Sequence, residues 1–384
     1  MMLGLMLTLM MINLAPPASA QAVQSGASSA AQSAEAAFNR AFELQQQRKW
    51  NEAADAYREF LKQEPNHAGA HANLGAVLSQ LGRHREAIAS YETALRLNPQ
   101  LTQILFNLGS AHFRAGQFAQ AAETLRKFLA SNSDYWPARQ LLGLTLVELG
   151  RDEEALPLLE TAIKANPQDT SLLFGLGLAY LRLNRPEVKT IVERLAAAPQ
   201  GQPFAQLLRG QNYLADNAVE SAIEALEAAA KLSPDLPRLH FSLGTAYLRA
   251  GRNNVAITEF QKELQYVPRD FWSLYYLAFL LEAEGKLDQA REQLGLALQA
   301  EAKSIEANTL LGKILIKQGK AAEAIGPLEI AVAQNPNDSN TRFQLARAYQ
   351  QTGRSKEAAR EFAEVQRLKD QGIEKERRGL AKPQ

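Results

Sequence analysis

The sequence predicts an all-α solenoid built from tandem helix–turn–helix units, and three observations lead to this prediction. Positions of the same kind recur with a period of 34 residues along most of the chain. Small residues occupy one fixed position in all ten periods and a second in nine of them, and Leu and aromatic residues surround them at spacings of three and four, which is typical of one apolar helix face. Because a period of 20 to 50 residues is typical of stacked units, the pattern favours a solenoid over a closed globular domain.

One recurring position ends the first helix of each unit. It holds Gly or Asn in nine successive units, with every step 34 residues long except one of 33: Gly82, Gly116, Gly150, Asn184, Asn217, Gly251, Gly285, Gly319 and Gly353. Gly adopts the left-handed conformation freely, and Asn tolerates it better than most residues. The pattern therefore predicts a left-handed residue after each first helix.

Two further sets of small residues predict where the paired helices cross. Seven residues before the helix end stand Ala41, Gly75, Gly109, Gly143, Gly177, Gly210, Gly244, Ala278, Gly312 and Ala346. The equivalent position of the second helix is Ala in nine of ten units and Lys in unit five: Ala53, Ala87, Ala121, Ala155, Lys189, Ala222, Ala256, Ala290, Ala324 and Ala358. Two helices approach closely only where their side chains are small, so we expect the crossing at these positions. Prolines at 65, 99, 167, 234, 268 and 336 then end the second helix.

These residues resemble the tetratricopeptide repeat, whose pattern is Trp-x2-Leu-Gly-x2-Tyr followed by Ala, an aromatic residue, Ala and Pro. The segments LFNLGSAHFRAGQFAQAAETLRKFL and LHFSLGTAYLRAGRNNVAITEFQ match it, although the leading Trp is missing from every unit. The resemblance covers residues 34–370 as ten units. It implies a right-handed superhelix with first helices along the concave face, and a role in binding other proteins.

The ends of the chain have a different composition. Residues 1–20 hold an apolar run of about 14 residues and close with the small-x-small pattern Ala18-Ser19-Ala20, which is typical of a secretory signal peptide. No Lys or Arg precedes the apolar run, so an uncleaved anchor is the alternative. Residues 21–33 are expected to form a flexible linker, and residues 371–384 a polar tail or cap. We therefore expect a periplasmic or secreted protein, with no stable membrane span once residues 1–20 are removed.

The composition argues against several functional classes. The chain has 42 basic and 41 acidic residues, so no net field favours nucleic acid, and it has no cysteine. It lacks nucleophile-elbow, phosphate-loop and metalloprotease patterns, so neither an enzyme nor a cofactor is expected. His67 and His71 lie four residues apart without a neighbouring acidic or Cys ligand, and we interpret them as ordinary structural histidines rather than as a metal site.

The resemblance implies that the groove uses positions 2, 5, 9, 12 and 13 of each unit. Units three, five and seven pair a Phe at position 5 with an Arg at position 13, and unit nine has a Lys at position 13: Phe106 with Arg114, Phe174 with Arg182, Phe241 with Arg249, and Lys317. Our hypothesis is a groove that holds an extended or helical polypeptide by apolar anchors, while the Arg side chains bind carboxylates or carbonyls. An anionic polysaccharide is the alternative ligand. The competing interpretation is that position 5 packs against the next unit and position 13 is a solvated helix end.

Unit eight is unusually aromatic, with five aromatic residues between positions 271 and 279 of the chain. Trp272, Tyr275 and Phe279 fall on expected groove positions and form the strongest single candidate for a binding hot spot. A locally aromatic core is the alternative.

Two irregularities leave alternatives open. Unit five has Pro186, Lys189 and the segment AAAPQGQP, which indicate either a hinge between units one to four and six to ten or drift of the repeat. Glu263 stands where other units have Ala, Phe or Val, and it either reaches water or marks a site.

We therefore expect a non-catalytic platform for protein association. The alternative is a scaffold subunit of a cell-envelope machine, as in exopolysaccharide secretion or outer-membrane assembly.

Overall fold

The computed structural model describes the backbone of residues 29–380 and the side chains of residues 33–371. The predicted signal peptide at 1–20 and most of the predicted linker lie outside the described residues. The described backbone contains twenty α-helices, one short 3₁₀ turn at Thr102–Ile104 and no strand. The prediction of an all-α fold is confirmed.

The helices follow one another as first and second members of ten hairpins. The first helices are α1 Ser29–Gln46, α3 Ala68–Gln80, α5 Leu105–Arg114, α7 Trp136–Glu148, α9 Thr170–Arg182, α11 Gln202–Ala215, α13 Leu239–Arg249, α15 Phe271–Ala283, α17 Ile305–Lys317 and α19 Ser339–Gln351. The second helices are α2 Trp50–Gln63, α4 His84–Leu97, α6 Phe118–Ser131, α8 Asp152–Ala165, α10 Val188–Ala197, α12 Val219–Leu232, α14 Asn253–Tyr266, α16 Leu287–Ala300, α18 Ala321–Gln334 and α20 Ser355–Leu380.

The chain divides into two compact bodies, and each is a stack of these hairpins. The N-terminal body consists of two segments, the chain up to Asn212 and residues 228–237. The C-terminal body consists of residues 213–227 and the chain from Arg238 onwards. Within each body a first helix packs on its own second helix, and that second helix packs on the next first helix. Successive first helices also touch, as in α5 with α7, α7 with α9, α15 with α17 and α17 with α19. The first helices thus form a continuous layer in these parts of the stacks.

The left-handed residue after each first helix is confirmed. Gly82 has φ 73° and Asn184 has φ 52°, and the remaining Gly and Asn residues of that set are also left-handed. The turn allows the Arg83 N–H to donate to the Leu78 carbonyl at 2.9 Å, which satisfies a carbonyl that the helix end would leave without a partner. In the first unit the left-handed position is taken by Arg48, with φ 58°.

The crossing of the paired helices depends on the predicted small residues, with one refinement. A Cβ atom added at Gly312 would lie 2.4 Å from Leu328, and one added at Gly75 would lie 2.8 Å from the Tyr91 ring. Each of these bulky residues comes four positions after the recurring Ala of the second helix. The first helix therefore needs a small residue because a large side chain of the second helix packs directly over it.

The predicted boundaries differ from the observed ones at both ends. Helix α1 begins at Ser29, inside the predicted linker 21–33, because the Ala-rich residues there favour helix. Helix α20 continues through Leu380, past the predicted boundary at 370, and has 26 residues where most second helices have 14. Its Glu, Lys, Arg and Gln residues are good helix formers.

Unit five has a short second helix. Helix α10 has ten residues and begins at Val188, two residues after Pro186, and the Lys189 side chain is exposed. The two interpretations of this unit, a hinge or drift of the repeat, both stay predictions. None of the helices in the described part of the chain is long and apolar enough to cross a membrane.

Candidate binding surface

Helix α15 carries an exposed aromatic face opposite its buried one. Asp270 caps the helix by accepting a hydrogen bond from the Ser273 N–H at 2.9 Å. From this start, Trp272, Tyr275 and Phe279 follow at helical spacings of three and four, so they share one side. The Trp272 residue is 40% exposed and Phe279 is 41% exposed, while Tyr275 is partly buried. This exposure favours the surface interpretation of unit eight over the aromatic-core interpretation.

The rings of this face are held in a defined arrangement. The Trp272 and Tyr275 ring centroids lie 5.9 Å apart with the planes at 90°, a T-shaped contact. Tyr276 instead stacks on Phe260 of the preceding unit, with centroids 5.5 Å apart. Burial raises the pKa of Tyr275, and Glu306 of the next unit adds to that rise. Tyr276 therefore packs against the preceding unit, whereas the Trp272 ring is exposed and the partly buried Tyr275 ring lies perpendicular to it.

A charged cluster lies at the other end of the same helix. The Glu282 side chain is 4% exposed and forms ion pairs with Lys313, at 3.1 Å, and with Lys317. Burial opposes ionisation of Glu282, but the two lysines outweigh it and hold the pKa of that carboxyl below its ordinary value. Sequence reasoning identified Lys317 but missed Glu282 and Lys313, although they occupy groove positions 12 and 9 of their units.

Unit ten adds one more exposed ring. Phe343 occupies position 5 of α19 and is 41% exposed. We call the set Trp272, Tyr275, Phe279, Lys313, Lys317 and Phe343 the aromatic–lysine surface. It spans three successive first helices, α15, α17 and α19, which touch one another in order.

The expectation of exposed anchors at Phe106 and Phe174 is wrong. Both side chains are 0% exposed. The Phe106 ring packs edge-on against Tyr135 with centroids 5.1 Å apart, and Phe174 packs against Phe204 at 5.1 Å. Phe241 is partly buried, and the Arg238 guanidinium lies 4.1 Å from its ring centroid. Position 5 of unit five thus packs against the next unit, as the competing interpretation held. Phe106 instead packs between Phe128 of its own second helix and Tyr135, the residue before α7.

Two of the predicted arginines hold successive first helices together. Arg182 donates to the Val147 carbonyl in the last turn of α7, at 2.7 Å, and forms a 2.7 Å ion pair with Asp152. Arg249 donates to the Leu214 carbonyl in the last turn of α11, at 2.5 Å. Arg114, at the equivalent position, is partly buried, and burial lowers the pKa of its guanidinium. Arg182 and Arg249 thus contact the last turn of the preceding first helix, where carbonyls lack helical partners.

Glu263 has a structural explanation. It is 2% exposed, and its Oε2 accepts a hydrogen bond from the Phe241 N–H in the first turn of α13, at 3.1 Å. Of the two alternatives left by the sequence, reaching water is wrong, and the contact of the carboxylate is with the backbone at the start of α13 rather than with a ligand group.

The two N-terminal histidines have structural contacts. His67 is the N-cap of α3, where its Nδ1 accepts from the Ala70 N–H at 3.0 Å, and a His71 ring nitrogen lies 2.9 Å from the Pro65 carbonyl oxygen. Within the described residues, no cluster of three or more His, Cys, Asp or Glu side chains is suitable for a metal ion.

The hairpin stacks and the exposed surface on their first helices define a helical-repeat scaffold. Models described as tetratricopeptide repeats match residues 38–102, 77–135, 112–176, 210–251 and 241–305. The chain belongs to the tetratricopeptide repeat family. Such folds are typical of protein-interaction scaffolds and are generally non-catalytic. A model described as a bacterial transcriptional activator domain also matches residues 278–379.

Individual relatives are distant. The chain is 23% identical over 146 residues to the BBSome complex member BBS4 of Bos taurus, covering 38% of this chain and 28% of that protein. It is 32% identical over 116 residues to the antiviral innate immune response effector IFIT1 of Homo sapiens, covering 30% of this chain and 22% of that one. The chain thus spans less than a third of the length of these relatives.

Solved structures with a similar arrangement include MamA and yeast Tom70. The MamA protein has 19% identity and a TM-score of 0.42, covering 45% of this chain and 94% of MamA. Yeast Tom70 has 17% identity and a TM-score of 0.36, covering 88% of this chain and 92% of Tom70.

Proposed function

We propose that this protein is a non-catalytic platform that binds a segment of a partner polypeptide on the aromatic–lysine surface. The observation that carries the proposal is the exposure of Trp272 and Phe279, 40% and 41%, on a helix whose opposite face is buried. An aromatic ring that is exposed to water does not gain the favourable free energy of burying its apolar surface. Aromatic residues also dominate the energetics of protein interfaces. A partner that covers these rings recovers that free energy.

The partner binds the C-terminal body, and it does not bind along the Phe and Arg pairs of units three, five and seven. The Phe106 and Phe174 side chains are fully buried. Arg182 and Arg249 already donate hydrogen bonds to carbonyls at neighbouring helix ends. The α15, α17 and α19 helices instead combine rings and cations on adjacent groove positions. An extended polypeptide crosses three first helices spaced about 10 Å apart with roughly six residues.

The test compares two exposed tryptophans. A library of random dodecapeptides displayed on phage is selected against the full-length protein, and the affinity of the selected peptides is measured for Trp272→Ala and Trp136→Ala. Trp136 is 51% exposed and lies in the N-terminal body, so it is a matched control. We expect Trp272→Ala to weaken binding at least tenfold with little change in melting temperature, and Trp136→Ala to leave binding unchanged.

Two results contradict the proposal. If Trp272→Ala lowers the melting temperature and leaves peptide affinity intact, the ring stabilises the fold and the partner binds elsewhere. If selection yields anionic polysaccharide ligands in a parallel glycan screen but no peptide, the ligand class is wrong.

We further propose that the protein is exported and acts in the periplasm or outside the cell. The apolar run and the Ala18-Ser19-Ala20 pattern of residues 1–20 support this location. N-terminal sequencing of the protein isolated from its native cells is expected to begin at Gln21, and a chain that begins at Met1 in the cytoplasmic fraction contradicts the proposal. Recovery in a large envelope assembly after cross-linking supports the scaffold-subunit alternative.

A further inference from the structure

The aromatic–lysine surface contains two lysines that share a single carboxylate. Lys313 and Lys317 lie one turn apart on α17, and both pair with Glu282 of α15. Glu282 is 4% exposed, whereas the side chains of Lys313 and Lys317 are 39% and 46% exposed. The partner-facing groups of the cluster are therefore the two ammonium groups.

The charge of the cluster is unbalanced. Two ammonium groups and one carboxylate leave one positive charge in excess. Each ammonium has three donors, so neither lysine exhausts its hydrogen-bonding capacity on Glu282. A partly desolvated positive group of this kind favours an anionic ligand, and a carboxylate binds it through charge-assisted hydrogen bonds.

Apolar rings lie on the helices to either side of the lysines. Phe279, at position 9 of α15, and Phe343, at position 5 of α19, are each 41% exposed, and α17 lies between these helices in the stack. A segment that contacts both rings must pass over α17. Its apolar side chains are thus placed a few residues from the two ammonium groups.

We propose that Lys313 and Lys317 bind an Asp or Glu side chain of the partner polypeptide, next to an apolar side chain that packs on Phe279 or Phe343. This inference rests on the proposed function and specifies the chemistry of the partner. Glu282 orients the two ammonium groups in the free protein, and it competes with the incoming carboxylate because it shares the same donors.

The competition distinguishes this site from a purely structural ion pair. Glu282→Gln removes the internal carboxylate and keeps the side-chain shape. The triple variant Glu282→Gln, Lys313→Gln, Lys317→Gln removes all three charges together, so that no buried charge is left without a partner. Because neither variant leaves a buried carboxylate without a partner, a change in peptide affinity reports on the site rather than on unfolding of the protein.

The experiment uses peptides from a random dodecapeptide phage library selected on the wild-type protein. We expect selected sequences to share an Asp or Glu at a fixed spacing from an apolar residue. Changing that acid to its amide should weaken binding to the wild-type protein about two- to fivefold, with the effect decreasing as salt is added. Glu282→Gln should bind the acidic peptide about two- to fivefold more tightly, and the triple variant should not distinguish acid from amide.

Other results contradict either this inference alone or the proposed function as well. Peptides that lose affinity for Trp272→Ala but show no acid preference overturn this inference and leave the proposed function intact. A Glu282→Gln variant that binds the acidic peptide no better than the wild type overturns the competition. Peptides that ignore Trp272→Ala, or a selection that yields none, overturn the proposed function and this inference with it.

Discussion

A single residue, Glu263, shows how a position that breaks the repeat pattern is used. Helices α9, α15, α17 and α19 begin with an Asp or Ser whose side chain caps the first turn. Helix α13 begins after Arg238, which is left-handed with φ 57° and has no acceptor to offer. The carboxylate of Glu263, from α14, accepts the Phe241 N–H in its place. The missing local cap is thus supplied by the partner helix.

The ionisation of Glu263 predicts a pH dependence of stability. Burial raises the pKa of Glu263, and Asp270 adds to the rise, while the Phe241 N–H, Arg238 and His240 partly offset it. The folded protein therefore holds this proton more tightly than the unfolded chain, so the contribution of Glu263 to stability is largest below its unfolded pKa and decreases as the pH rises through the folded value.

Glu263→Gln keeps an acceptor for the Phe241 N–H and removes the buried charge. We expect its free energy of unfolding in urea to exceed that of the wild type at pH 7, with the difference disappearing below about pH 4. Glu263→Ala removes the acceptor and should be less stable than the glutamine variant at every pH, by about 1 kcal/mol. A glutamine variant less stable than the wild type at pH 7 contradicts this account.

At the level of helices, side chains of one unit bind groups of the preceding unit at recurring positions. Arg182 and Arg249 each donate to a carbonyl 35 residues earlier, in the last turn of the previous first helix. Tyr180 and Tyr349 each donate to a Glu carboxylate 20 residues earlier, at 2.8 and 2.6 Å. Burial together with Glu160 raises the pKa of Tyr180 to about 12. Hydrogen bonds are directional and apolar packing is not, so these bonds restrict how one unit aligns on the preceding unit.

The Arg182 contacts predict a loss of stability rather than a loss of binding. Arg182→Ala leaves Asp152, which is 6% exposed, without its ion pair. We expect the free energy of unfolding to decrease by about 1–3 kcal/mol, less than for a fully buried pair because the Arg side chain is 41% exposed.

Urea unfolding of three variants checks this prediction. Adding Asp152→Asn to Arg182→Ala should recover much of the loss, since the uncompensated charge is then absent. Lys189→Ala, a change at an exposed position where other units have Ala, serves as a control and should stay within about 0.5 kcal/mol of the wild type. If Arg182→Ala is as stable as the control, the contacts of Arg182 with α7 and Asp152 do not stabilise the fold.

At the level of the molecule, each body is held together by contacts between neighbours in sequence. In the C-terminal body, α17 packs on α16, α18 and α19, and also touches α15. Stability in such a stack is approximately the sum of the hairpins and the interfaces between them. A defect in one hairpin should therefore loosen that hairpin and its neighbours before the rest.

Two glycines of unit nine test this locality. An added Cβ at Gly312 would lie 2.4 Å from Leu328, whereas one at Gly326 meets nothing within 4 Å. We expect Gly312→Ala to lower the free energy of unfolding by about 1–3 kcal/mol. Gly326→Ala should change it by less than about 1 kcal/mol, because Ala has the higher helix propensity while Pro327 disfavours a Cβ on the residue before it. Hydrogen exchange measured by mass spectrometry should show lost protection in α17, α18 and the adjoining helices. A uniform loss that includes α13 and α14 contradicts a nearest-neighbour stack.

The repeat could be predicted from the sequence because it depends on interactions inside one hairpin. The left-handed ends at Gly82 and Asn184 follow from backbone sterics at single residues. The small residues at Gly75 and Gly312 follow from the close approach of the two helices of one hairpin, whose contacting residues lie 16 positions apart in the chain. Period and spacing encode both. Helix limits at the two ends were less predictable, because Ala-rich and charged segments form helix without a packing pattern.

The exposure of the proposed binding residues depended on contacts that the period does not encode. Phe106 and Phe343 occupy the same repeat position, yet Phe106 is covered by Tyr135 and has 0% exposure, while Phe343 is 41% exposed. The donors of Arg182 are taken by a carbonyl 35 residues away, and Glu282 draws two lysines of the next unit onto one carboxylate. Residue type sets what a side chain is able to bind. Whether it faces water is set by which atoms the adjacent hairpin brings against it, and that becomes known only once the hairpins are packed together.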